Sequence, residues 1–99
     1  TTSAMMAPFY EILYSLSNWL VKRGIKKENA QKYISSLFHA LSEDAFNYKK
    51  DLKRLVKESQ TPGGLNEQAV KDLRKAGFYR LLEKTSNRII KRLNKSQSN

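Results

Sequence analysis

The 99-residue chain has no cysteine and a single histidine. Neither a disulfide framework nor a thiolate or histidine-based metal cluster is therefore available to supplement its core. No uninterrupted apolar run approaches the roughly 20 residues of a membrane span, and no basic stretch precedes an apolar one at the N-terminus. We expect a soluble protein, with a lean to the cytoplasm from the missing cysteines. Acidic residues are scarce: 9 Asp and Glu stand against 19 Lys and Arg, a formal net charge of +10. Glycine and proline are scarce as well, at 4 and 2 residues, so Pro62-Gly63-Gly64 stands out as the one place where backbone chemistry outweighs side-chain pattern.

A positive surplus of that size invites a nucleic-acid or acidic-protein partner through steering and counterion release. Its distribution argues the other way. Cations recur from Lys22-Arg23 and Lys26-Lys27 through Lys49-Lys50, Lys53-Arg54 and Arg74-Lys75 to Lys91-Arg92, in every predicted helix, and aromatics are not interleaved with them as a stacking platform. A dispersed, solvated cationic surface is the simpler reading, and no nucleic-acid partner is expected. A stand-alone basic helical module that binds nucleic acid or an acidic partner is the alternative.

Taken in order, the chain reads as helices. Met5, Phe9, Ile12, Leu13, Leu16 and Leu20 recur at three- and four-residue spacing, with Tyr10, Tyr14, Trp19 and Val21 widening the apolar arc. Thr2 or Ser3 is expected to cap this first helix, Pro8 falls within its first turns, and Arg23-Gly24 ends it. A second helix begins near Lys27, with Ala30, Tyr33, Ile34, Leu37, Phe38 and Leu41 on its inner face, and runs toward a break near Asn47. A shorter basic helix carries Leu52, Leu55 and Val56. A fourth is predicted over Glu67–Ala76 with Gly77 as terminator, and a fifth from Phe78 to Leu93, after which the polar tail from Asn94 is expected to fray. Period-two alternation persists nowhere. The fold class is all-α, a helical bundle of about five helices, and several apolar faces are too wide for a compact monomer. We therefore expect an interlocked two-fold dimer in which helices of both chains share one core, with Trp19 in the core or at the subunit contact.

Groups able to do chemistry are few. His39 is the chain's one imidazole and so its candidate general acid or base, but the one carboxylate placed to meet it, Glu43, lies a helical turn away, where a hydrogen bond along the helix face is the simpler outcome. Glu43 and Asp44 are adjacent and point about a quarter-turn apart, so they do not form a facing acid–base pair. Glu67 suits the first turn of its helix, where a carboxylate complements the dipole; binding a cationic substrate is its other possible role. The turn itself is more informative. Pro62 pre-sets the second position of a type II turn and Gly63 supplies the positive φ of the third. Gly64 permits close approach, Asn66 is expected as N-cap of the next helix, and Leu65 is expected to staple onto Val70. Exposed N–H groups leading into a helix N-terminus make a seat for an anion. No strand precedes this turn and its glycine spacing is not that of a dinucleotide fingerprint.

Thr61-Pro62-Gly63-Gly64, followed by a helix and Lys75-Ala76-Gly77-Phe78, strongly resembles the C-terminal dimerisation domain of the pyrroline-5-carboxylate reductases. That family carries a Ser/Thr-Pro-Gly-Gly-Thr-Thr loop and a helix ending in a similar small-Gly-Phe step. Ser3 to Tyr10, with Pro8 ahead of aromatic residues, is similar to the family's Ser-Gly-Ser-Gly-Pro-Ala-Tyr helix start. The resemblance runs from about Thr2 to Leu93, and the Pro-Gly-Gly element is its specific motif.

The resemblance implies that residues 1–99 form one dimerisation and substrate-loop domain of a parent NAD(P)H-dependent imine reductase in proline biosynthesis, catalytic only with its parent. The N-terminal Rossmann domain that would hold NADP or NAD lies outside this sequence, and no cofactor site is expected within it. The chain's opening on Thr1, not methionine, suits part of a longer protein. The family's active site forms at the dimer interface, where the Pro-Gly-Gly loop receives the substrate carboxylate through backbone N–H groups while the nicotinamide gives hydride to the imine carbon. Carried over by position, Gly63 and Gly64 bind the carboxylate, Thr61 and Pro62 shape the turn, and Leu65 and Asn66 replace the two threonines, the second of which meets the substrate. Ala4 and Met6 stand where the family has glycine.

Overall fold

The computed structural model describes residues 3–97, which form five α-helices with no strand among them. A 3-10 turn over Ser3–Met5 leads into α1 (Met6–Lys22), followed by α2 (Lys27–Asn47), α3 (Leu52–Glu58), α4 (Leu65–Lys75) and α5 (Phe78–Gln97). The chain divides into two compact units at the Leu52–Lys53 boundary.

In the first unit α1 and α2 make an antiparallel pair. The ring of Phe9, early in α1, stands edge-on to that of Phe38, late in α2, at 6.4 Å. At the other end Val21 and Lys27 line one small cavity of about 160 Å³. The helices meet over three residues: Ala30 is fully buried, Ile34 nearly so, and Ser17 is buried with its hydroxyl donating to the Leu13 carbonyl at 2.7 Å. That bond satisfies the only buried polar side chain among the described residues without a partner from another helix. Pro8 sits at the third position of α1, where its missing N–H would have been unpaired in any case. Met5, not Thr2 or Ser3, occupies the N-cap position and makes no side-chain cap bond; Thr2 lies outside the described residues. At the other end Gly24, at φ +100°, donates to Val21 O and Ile25 to Leu20 O, the paired closure that a left-handed glycine makes at a helix C-terminus.

The second unit contains α3, α4 and α5. Gly77, at φ +83°, joins the last two: its N–H closes α4 on Arg74 O, and its carbonyl accepts the Leu81 N–H that begins α5. Two boundaries in this unit differ from the sequence expectation by more than one residue. Helix α4 starts at Leu65, two residues earlier than predicted, and α5 runs on through Asn94 to Gln97. Extending a formed helix adds one hydrogen bond per residue fixed, which carries even a polar tail.

Large apolar side chains remain outside both units. Tyr10, Tyr14, Trp19, Leu41, Leu81, Leu82 and Ile90 are all exposed, and Trp19 is 52% accessible with the Arg23 guanidinium 4.7 Å from its ring centroid. Only Ala30 and Ile34 are buried apolar residues among those described. The wide apolar arcs read in the sequence are thus present as surfaces, and neither unit covers its own.

Candidate functional site

The Thr61–Gly64 turn takes the shape its residues call for. Gly64 N–H donates to Thr61 O at 2.7 Å, Gly63 lies at φ +74°, and Pro62 precedes it, the arrangement of a type II turn. Gly64 itself is extended at φ −87° and ψ 177°, and its need for glycine comes from crowding. A Cβ there would meet Thr61 O at 2.9 Å and Thr61 Cβ at 3.3 Å. The close approach that Gly64 permits is therefore to its own turn.

Two local assignments are corrected. Gly64 is the N-cap of α4, since its extended backbone precedes the helix and its carbonyl accepts the Gln68 N–H at 3.1 Å. Asn66 is accordingly not the cap but the second helical residue, and its side-chain amide donates back to Ser59 O at 3.2 Å, tying α4 to the end of α3. With the cap shifted, Leu65 occupies the first helical position, and the position ahead of the cap belongs to Gly63, which has no side chain to staple. Leu65 is 86% exposed and makes no staple onto Val70.

Glu67, at the third helical position, reaches back across the turn. Its Oε1 accepts the Gly63 N–H at 3.1 Å and lies 3.6 Å from Lys71 Nζ. This is close to a capping box, displaced by one residue, and it places a carboxylate on the Gly63 N–H, which takes no part in the turn's own hydrogen bond.

A groove of about 540 Å³ opens beside the turn, with Lys53, Val56 and Lys57 from α3, Pro62 from the turn, and Glu67 and Arg74 from α4 on its walls. Of the six residues singled out by resemblance, Pro62 lines the groove directly and Gly63 reaches it through Glu67. Thr61 and Gly64 close the turn, while Leu65 and Asn66 are exposed, Leu65 without a polar group and Asn66 with its amide on Ser59. The cations of the groove were legible only as separate members of charge runs. Lys53 and Lys57, four apart on α3, share a face, but their meeting with Arg74 depends on the path of the turn.

The rest of the described surface offers little chemistry. His39 Nε2 lies 3.8 Å from Glu43 Oε2, both well exposed, so this pair is the helix-face contact its spacing suggested. Among the described residues no group of three His, Cys, Asp or Glu is placed to hold a metal ion, and no helix is long and apolar enough to cross a membrane.

No curated protein matches the chain. Its sequence does match the family described as pyrroline-5-carboxylate reductase dimerisation, over residues 1–96. With nearly the whole chain matched and an all-helical fold carrying uncovered apolar faces, this protein belongs to the pyrroline-5-carboxylate reductase dimerisation family.

Proposed function

We propose that this chain is the dimerisation and substrate-loop domain of an NAD(P)H-dependent cyclic-imine reductase of the proline-biosynthesis type, acting in the cytoplasm as a homodimer. Helices of two chains interlock around a shared core, and the exposed apolar faces of α1 and α5 support that reading, since a second copy would bury what neither unit covers. The Thr61–Gly64 turn is the seat of a small carboxylate-bearing imine substrate. The observation that carries this assignment is the Gly63 N–H, which the turn leaves unused and which already has a carboxylate, that of Glu67, as its acceptor.

The cofactor, NADP or NAD, is the source of hydride for the imine carbon and belongs to a domain of the parent protein. The Pro-Gly-Gly turn follows a helix, and the described residues contain no strand from which a dinucleotide-binding unit could be built, so they do not fit that group. What they contribute is binding and orientation: Pro62 and Gly63 fix the turn, and Leu65 and Asn66 set how the helix start meets a substrate. Asn66 would have to release Ser59 O before its amide could serve a ligand. The test is the full-length protein with pyrroline-5-carboxylate and each reduced nicotinamide, followed by cofactor absorbance. Consumption of NADPH or NADH that requires the imine supports the reading. No consumption, together with no binding of either cofactor, contradicts it.

A further inference from the structure

The groove beside the turn combines features that the carboxylate seat alone does not require. Three cations, Lys53, Lys57 and Arg74, stand on its walls against one acid, Glu67, with Val56 and Pro62 as the apolar part. None of the three cations has an ion-pair partner among the described residues; the neighbouring Arg54 and Lys71 are the ones paired, with Glu58 and Glu67. At about 540 Å³ the groove falls within the ~300–1,000 Å³ typical of small-molecule clefts. Glu67 belongs to both features, lining the groove while its Oε1 holds the Gly63 N–H.

Resting on the carboxylate-seat reading above, we propose that Glu67 is an internal stand-in for the ligand carboxylate. It holds the Gly63 N–H until a ligand carboxylate displaces it, and Lys53, Lys57 and Arg74 then form the cationic wall that draws the ligand in. The displaced Glu67 has a second partner at hand, because Lys71 Nζ already lies 3.6 Å from the same oxygen. Two carboxylates cannot share one N–H donor, so Glu67 sets the affinity of the seat by competing for it. The groove thereby selects small molecules with a carboxylate and an apolar body, and it discriminates against those that lack the carboxylate. The three cations are its specificity-determining residues.

The experiment uses the full-length protein labelled with [15N]glycine and L-proline as the carboxylate probe. The Gly63 amide resonance is followed while binding is measured by calorimetry at low salt, with pyrrolidine, the same ring without the carboxylate, as the control. In the wild type, proline shifts the Gly63 amide and pyrrolidine does not. Glu67→Gln keeps an oxygen acceptor for the turn and removes the competing charge, so it tightens proline by about fivefold, the scale of an exposed charge interaction. Arg74→Gln and Lys53→Gln each weaken proline by a similar factor and leave the Gly63 shift in place. If Glu67→Gln binds proline no more tightly than the wild type while the Gly63 amide still responds, the stand-in role is wrong and the carboxylate seat survives. If the Gly63 amide responds in neither protein, the seat is overturned and the stand-in with it. Helical circular dichroism of each variant confirms that the comparison is between folded proteins.

Discussion

Replacing the two glycines of the turn one at a time separates the two reasons glycine is required there. Gly63 is held at φ +74° with nothing within 4 Å of where a Cβ would sit. An alanine at that position therefore pays only the left-handed backbone penalty of about 1–2 kcal/mol. Part of it is offset because alanine loses less conformational entropy than glycine on folding, about 0.4–1 kcal/mol. The net loss for Gly63→Ala is about 1 kcal/mol. Gly63→Asn loses less, since Asn tolerates the left-handed region. Gly64→Ala loses stability for a different reason. Its φ of −87° suits any residue, but the added Cβ stands 2.9 Å from Thr61 O, the oxygen that accepts the Gly64 N–H at 2.7 Å. Opening that contact weakens the turn's own hydrogen bond, at about 1 kcal/mol, and misaligns the Gly63 donor as well. Urea unfolding followed by helical circular dichroism, at one fixed protomer concentration, reads these differences as shifts in midpoint at constant slope. The expected order of stability is wild type, then Gly63→Asn, then Gly63→Ala. A Gly63→Ala protein as stable as the wild type would refute the turn geometry, and so would a Gly64→Ala protein that keeps full stability.

Two further outcomes follow from packing and charge. Ala30 is fully buried where α1 and α2 meet, so Ala30→Leu overpacks that contact and lowers stability by about 1–3 kcal/mol in the same unfolding assay, whereas Lys32→Gln on the exposed side of α2 changes it by less than about 0.5 kcal/mol. The cationic surface behaves as a solvated one: retention on duplex DNA at low salt is lost by about 0.15 M salt, while a steep but persistent binding isotherm there would favour the basic-module alternative.

Much of this structure was legible in the residues because its signals are local. The stops at Gly24 and Gly77 depend on a left-handed glycine after a basic last turn, and both are where that chemistry puts them. The long second helix followed from unbroken three-and-four spacing from Ala30 to Leu41 with no breaker before Asn47. The start of α4 was less legible. Asn66 beside Leu65 resembles a cap with its staple, but Gly64 already has the extended backbone of a cap, and Asn66 is recruited by Ser59 O seven residues earlier. The groove was not legible at all, since Lys53 and Lys57 meet Arg74 only after the turn reverses the chain. Glu67 was read correctly as a helix-start carboxylate, and its reach to Gly63 N–H needed the turn's geometry.

The apolar faces left open on α1 and α5 are expected to be completed by a second copy of this chain. Sedimentation equilibrium over a range of micromolar concentrations, with helical content recorded on the same samples, decides whether they are. The expected result is a mass twice the 11.5 kDa of one chain, with helicity and unfolding midpoint falling together on dilution as the dimer dissociates. A species of 11.5 kDa that keeps full helicity at every concentration would contradict it.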